Sequence, residues 1–374
     1  MTERLSTAYR GKKVLITGHT GFKGGWLSLW LTSLGAEVYG YALEPPTTPS
    51  LFELLELAGK MHHEVADIRD LERLKRTIRS VAPDIVFHLA AQSLVRESYA
   101  APLETVQANT LGTVHLLEAV RQTGVSTALV LVTTDKVYEN KEWLHGYREP
   151  DALGGHDPYS SSKAAAEILL ASWRSSFFHP SQVSSHGVRV ASARAGNVVG
   201  GGDWSTDRIV PDCIRDLEAQ RAIGVRNPYA TRPWQHVLEP LAGYLELGAR
   251  LLEGTDAAVA SFCEAFNFGP HTTSNRSVGD LVDKVVRCWG SGSWEHISPE
   301  VVHHEASLLH LTIDKAYHRL HWSPKWDFDR TIEHTVAWYQ HARQHPTQIC
   351  DFTLQQIRLY EAERSEGGGA PAKR

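Results

Sequence analysis

Cysteine is scarce in this chain, with four residues (Cys213, Cys263, Cys288 and Cys350) scattered among 374. They are too far apart for a paired zinc-ligand set and too few for a disulfide scaffold, so they read as buried apolar thiols of a cytoplasmic protein. No metal site is expected. Long apolar runs are missing too: no stretch approaches the roughly 20 residues that span a bilayer, and the polar opening MTERLSTAYRGKK does not read as a secretory signal. Neither sign of charge dominates. Against 38 Lys and Arg stand 43 Asp and Glu, a formal net charge of -5, so no bulk attraction to nucleic acid or to an anionic membrane is expected. Any phosphate must be held by a local device.

What is present is enough chain for one large domain or two modest ones sharing an extensive core. The 11 tryptophans and 20 histidines suit a polar, sugar-sized cleft, although packing and surface placement explain most of them equally well. Up to residue 200, short β-branched runs alternate with helical patterns. Strands are predicted at 13–17, 37–43, 63–67, 85–90, 128–133 and 188–193, and helices at 24–33, 70–81, 102–122 and 158–175. This alternation predicts an α/β fold with a doubly wound parallel (Rossmann) sheet, whose cofactor sits beyond the strand carboxyl ends.

Beyond residue 200 helices predominate, at 208–219, 240–252, 278–289, 328–344 and 351–363. We read 1–200 as a cofactor-binding domain and 201–364 as a smaller, mostly helical domain, interleaved because a strand at 265–268 is placed to return to the sheet. The tail 365–374, SEGGGAPAKR, is rich in Gly and small residues and is expected to be disordered.

Between the first strand and helix, VLITGHTGFKGGWLSLWL sets Gly18, Gly21 and Gly24 in a G-x-x-G-x-x-G loop with Phe22 and Lys23. Glycines there let backbone N–H groups approach a pyrophosphate. Glu44, twenty residues after Gly24, suits the adenosine ribose and favours NAD over NADP. Asp67 and Ile68 are expected at the adenine edge, and Leu89, Ala90 and Ala91 beside the middle of the cofactor.

Tyr159 and Lys163 lie four residues apart, on one face of a predicted helix. With an ordinary pKa of about 10, a tyrosine is a poor base at neutral pH, and a neighbouring ammonium favours the phenolate. The apolar strand LVLV leads straight into Thr133, Thr134, Asp135 and Lys136, which are expected to face the same crevice. A protonated carboxyl there can give a proton to a leaving hydroxyl, and an amine of depressed pKa can take one from carbon.

The glycine loop, FHLAAQSLVRESYAAPLETVQANTLGTVHLLEAV, TTDKVY, PYSSSKAAAE and RAGNVVGGGDW follow, in order, the pattern of the extended short-chain dehydrogenase/reductase family, which the chain resembles over about residues 11 to 345. Asp135-Lys136, HTGFKGGWL, PPTTPSLFELL, GGGDWSTDRIVPDC and TRPWQHVLEPL are similar to one subgroup, the CDP-glucose 4,6-dehydratases. That resemblance implies NAD as cofactor and a lyase reaction on CDP-glucose. The sugar would be oxidised at C4, lose water across C5 and C6, and take hydride back at C6. It implies that Tyr159 takes the hydroxyl proton, that Thr134 steadies that oxygen and that Asp135 protonates the C6 hydroxyl. Lys136 is the candidate base at C5, or else orients Asp135 or the substrate. Lys163 would hold the nicotinamide ribose. Gln92, Ser93, Asn197, Trp204, Arg208 and Arg232 are the expected substrate contacts, with Asn197 and Arg232 on the diphosphate. A homodimer or homotetramer is implied, joined through the helices at 102–122 and 158–175. The alternatives are a 4-epimerase, a dehydratase of another nucleotide sugar, and a non-catalytic NAD-binding protein.

Overall fold

The computed structural model describes residues 2–254, 256–298 and 308–366. Seven strands form one sheet: β1 (Lys13–Thr17), β2 (Glu37–Ala42), β3 (His62–Val65), β4 (Ile85–His88), β5 (Thr127–Thr134), β6 (Val188–Ala195) and β7 (Ala265–Phe268). Their spatial order is β7, β6, β5, β4, β1, β2, β3, and every pairing is parallel. The order reverses between β1 and β4, which opens a crevice above their carboxyl ends.

Both faces of the sheet are covered, which is why its strands read as nearly continuous apolar runs. Val14, Ile16, Ile85, Phe87, Ala128 and Val130 point into one core, and Leu15, Val86, Leu129 and Leu131 into the other. Helices α1 (Phe22–Ser33) and α6 (Leu238–Leu252) fill the first side through Trp26, Trp30, Leu241 and Leu245. Helices α2 (Leu71–Val81), α3 (Gly112–Thr123) and α4 (Pro158–Ser176) fill the second through Leu74, Ile78, Leu116, Leu117 and Leu170. The chain after residue 200 thus returns to the sheet with α6 and with β7. Its remaining long helices are α5 (Ile209–Glu218), α7 (Val278–Trp289), α8 (Phe328–Gln344) and α9 (Ile349–Glu366). Ser365 and Glu366 are the last residues of α9, whereas 367–374, most of the tail expected to be disordered, lie outside the described residues.

Helix ends follow local chemistry. Asp70 caps α2 by accepting from the Arg73 N–H, and Asp157 forms a capping box with Ser160 ahead of Pro158, which places Tyr159 in the first turn of α4. The predicted helix over 102–122 is not continuous. Pro102–Val106 is α-helical, Gln107–Leu111 widens into a π turn, and the α-helix resumes at Gly112. The extra residue lets Asn109 turn inward, where Oδ1 accepts from the Gln92 N–H at 2.8 Å and Nδ2 donates to Ser162 Oγ at 2.9 Å.

Candidate active site

A single cleft of about 1590 Å³ runs along the carboxyl ends of the strands and collects nearly all the residues singled out in the sequence. On its cofactor side, Gly18 has φ of +78°, and a Cβ there would lie 2.6 Å from the Ala90 N atom. A Cβ on Gly24 would lie 2.1 Å from the Gly18 carbonyl oxygen. Only glycine permits this closeness of β1, α1 and the loop after β4, and the first turn of α1 then faces the cleft with Gly21, Phe22 and Lys23. Ile68, Leu89, Ala90 and Ala91 line the same side. Glu44 also lines it but stands two residues past the end of β2, exposed. Asp67 lies beyond β3 rather than within it, and Arg69 bonds its carboxylate at 2.6 Å and holds its pKa below the usual range.

The bottom of the cleft carries the ionisable cluster. Tyr159, Lys163, Thr134 and Asp135 are all buried. Asp135 Oδ1 accepts from Thr134 Oγ1 at 3.0 Å, and the Thr134 hydroxyl also bonds the Tyr159 phenol. Burial raises the Asp135 pKa, against the pull of Lys136, the Thr134 hydrogen bond, Arg232 and Lys23. A carboxyl so placed favours its protonated form. For Lys163, burial lowers the pKa to about 8, with Glu167 acting the other way. Lys23, a second amine in the cluster, is pushed down to about 7 by burial and by Arg208 and Lys163.

One expectation fails here. Lys163 does not draw the Tyr159 pKa down in this structure; burial drives the phenol up to about 12, outweighing the Thr134 hydrogen bond and Arg208.

Beneath the cluster lies a buried ion pair that sequence reasoning missed. Arg194 of β6 grips Glu167 of α4 through Nε and Nη2, both at 3.0 Å. Thr133 and Ser192 donate to the same carboxylate at 2.6 and 2.8 Å, and Arg194 Nη1 reaches the Tyr138 hydroxyl at 2.8 Å. Burial opposes the Glu167 charge, but Arg194 and the hydroxyls win and leave its pKa below the ordinary value. Glu167 follows Lys163 by four residues on one helix face, so the spacing was a usable signal. Gly196 was also missed: a Cβ there would lie 2.6 Å from Asp135 Oδ2, so the acid sits directly on bare backbone.

On the substrate side, Asn197, Arg208 and Arg232 line the cleft with Ser93 and Gln92. Arg208 bonds Asp203 at 3.3 Å and Ser93 at 3.2 Å. The Gln92 amide is turned into its own loop, donating to the Leu94 carbonyl and Thr105 hydroxyl at 3.0 Å each. Trp204 departs from expectation: it packs edge-to-face on Tyr339 at 5.1 Å and is not among the residues lining the cleft. Apolar burial against α8 is stronger than exposure to a polar cleft for so large a ring. The same holds for Trp26, Trp30, Trp322, Trp326 and Trp338, which are fully buried, while Trp234 alone of the tryptophans lines the cleft among the described residues.

Residues 15–335 match the family model for GDP-mannose 4,6 dehydratase. The chain belongs to that family. It is 50% identical over 333 residues to the CDP-glucose 4,6-dehydratase of Salmonella typhimurium, covering 89% of this chain and 91% of the relative. With the dTDP-glucose 4,6-dehydratase of Shigella flexneri the identity is 25% over 354 residues, covering 87% and 92%. Among solved structures, the dTDP-glucose 4,6-dehydratase of Bacillus anthracis in complex with NAD superposes with a TM-score of 0.72 at 18% identity, covering 91% of this chain and all of that one. The UDP-glucose 4-epimerase of Thermotoga maritima with UDP-glucose gives 0.74 at 20%, covering 88% and 99%. At these identities the structures speak for the Rossmann fold alone. No helix among the described residues is long and apolar enough to cross a membrane, and no cluster of three or more metal-ligating side chains occurs among them.

Proposed function

We propose that the chain is an NAD-dependent CDP-glucose 4,6-dehydratase, converting CDP-glucose to the 4-keto-6-deoxy sugar nucleotide. The observation that carries this reading is a buried carboxyl of raised pKa, Asp135, joined through Thr134 to the Tyr159 phenol at the end of β5. A 4-epimerase needs the phenol but has no use for a second, proton-donating acid beside it. The 50% identity to a dehydratase of the same name supports the nucleotide.

When bound, NAD would supply the hydride acceptor at C4 of the sugar and the hydride donor at C6. Gly18, Gly21, Phe22, Lys23 and Gly24 would cradle its pyrophosphate, Glu44 would meet the adenosine ribose, Asp67 and Ile68 would flank the adenine, and Lys163 would hold the nicotinamide ribose. Tyr159 removes the C4 hydroxyl proton while Thr134 fixes that oxygen. The C4 ketone acidifies C5–H, Lys136 is the candidate base there, and Asp135 protonates the C6 hydroxyl as it leaves as water. Asn197 and Arg232 hold the diphosphate, Arg232 through its planar fork. Incubation with CDP-glucose and NAD, followed by the alkaline absorbance of a 4-keto sugar, tests the reading. Absence of product from every nucleotide sugar would overturn it.

The pH dependence has a definite sign. Asp135 works protonated, so elimination slows as pH rises through its raised pKa. Lys136 pulls that pKa down, so in Lys136→Met the alkaline limb of the pH–rate profile moves to higher pH. The rate itself falls about 10²- to 10⁴-fold if the amine is the C5 base. A limb that stays in place means that Lys136 and Asp135 do not act together.

We place the protein in the cytoplasm, as its four unpaired thiols suit, and as a homodimer or homotetramer. Leu103, Leu111 and Ile168 are 68, 46 and 56% exposed on the face made by the 102–123 segment and α4, apolar side chains that a second copy would cover. Light scattering is expected to give at least two copies, and Leu103→Glu with Ile168→Glu to give one. An unchanged mass in the variant would place the contact elsewhere.

A further inference from the structure

The mouth of the cleft is bridged by one carboxylate. Arg96 stands in a short helix, Val95–Ala100, that follows β4; Arg226 follows a short strand, Ile223–Val225, in the later half of the chain. Both line the cleft, as does Asp207 in the segment between Gly202 and α5. Asp207 of that segment reaches both: its Oδ1 accepts from Arg96 Nη1 at 3.1 Å and from Arg226 Nη1 and Nη2 at 3.2 Å each. Two guanidiniums thus share a single oxygen of a single anion, which leaves one positive charge in excess. The backbone of Asp207 is also left-handed, with φ of +60°, a conformation that Asp and Asn tolerate but that most residues avoid. The three side chains are between 35 and 40% exposed, so they meet a ligand arriving from solvent.

We propose that Arg96 and Arg226 bind the diphosphate of the substrate in addition to Asn197 and Arg232, and that Asp207 is an internal stand-in for it, displaced when the nucleotide sugar enters. A diphosphate offers several anionic oxygens to the two forks, where the carboxylate offers one, so exchange satisfies more donors and neutralises the excess charge. Arg208, the next residue, is bonded to Ser93 and lies near enough to Tyr159 to lower its pKa. Release of Asp207 therefore loosens the segment that carries a group next to the reacting centre. The inference rests on the reading above only in taking a nucleoside diphosphate as ligand.

The signs of three substitutions test it, by titration calorimetry of the full chain with CDP and with uncharged cytidine. Arg96→Gln and Arg226→Gln are each expected to weaken CDP binding about ten- to a hundredfold, the worth of a charge-assisted hydrogen bond, and to leave cytidine binding unchanged. Asp207→Asn, which keeps the backbone conformation, is expected to tighten CDP binding about two- to tenfold, the worth of two partly exposed ion pairs. A carboxylate that merely braces the cleft predicts the reverse, so weaker CDP binding by Asp207→Asn overturns the proposal. Equal loss of CDP and cytidine in the arginine variants overturns it too, since the arginines would then serve the base or the cleft as a whole. Wild-type turnover of CDP-glucose separates the two claims: if it occurs and Asp207→Asn fails to tighten CDP, the dehydratase reading stands and this one falls. Should the wild type prefer another nucleotide, that reading falls and the same series is run with the preferred diphosphate.

Discussion

Replacing Asp135 with Asn should separate two halves of one reaction: turnover falls about 10²- to 10⁴-fold, the usual worth of a positioned general acid, while the first reduction of the nicotinamide in a single turnover persists. The amide keeps the volume of the carboxyl and can still accept from Thr134, but it has no proton to give to a departing hydroxyl. Tyr159→Phe should stop the sequence earlier, before any reduction, because nothing then removes the C4 hydroxyl proton. Stopped-flow nicotinamide absorbance together with assay of the 4-keto product distinguishes these two outcomes. If Asp135→Asn abolishes cofactor reduction, Asp135 belongs to the oxidation step and its assignment as the acid of water loss is wrong.

The second large effect is on stability. Glu167→Ala is expected to cost about 3–5 kcal/mol, because Arg194 is then left buried and unpaired, and its side chain is only 5% exposed. Thr133 and Ser192 lose their acceptor at the same time. The midpoint of urea unfolding measures this, and a loss under about 1 kcal/mol would mean that the pair behaves as a surface salt bridge. Linkage adds a pH signature. The folded pKa of Glu167 lies below its ordinary value, so the stability it contributes is fully present above that ordinary value and is lost as pH falls through the depressed one. Glu167→Gln should therefore flatten the acid limb of the stability curve. Activity should suffer with stability, since the ion pair ties β5, α4 and β6 together below Thr134, Lys163 and Asn197.

Much of the site could be read without coordinates. The glycine loop, Thr134 to Lys136 and the Tyr159/Lys163 pair are each encoded within a few residues, at a strand's carboxyl end or on one helix face. Strand and helix positions came within a few residues for the same reason: period and capping chemistry are local. The π turn at 107–111 escaped because it is demanded by Asn109 meeting Gln92 and Ser162, 17 and 53 residues away.

The order of chemical groups along the chain, then, and the kind of sheet that presents them, were determined by the sequence itself, since hydrophobic period and backbone sterics act between near neighbours. Tertiary structure alone decided which charges meet and what state they take. Arg194 finds Glu167 across 27 residues, and Arg96 finds Asp207 across 111. Burial then reverses the expected pKa shift of Tyr159. Desolvation depends on everything packed around a group, and no short stretch of residues carries that information.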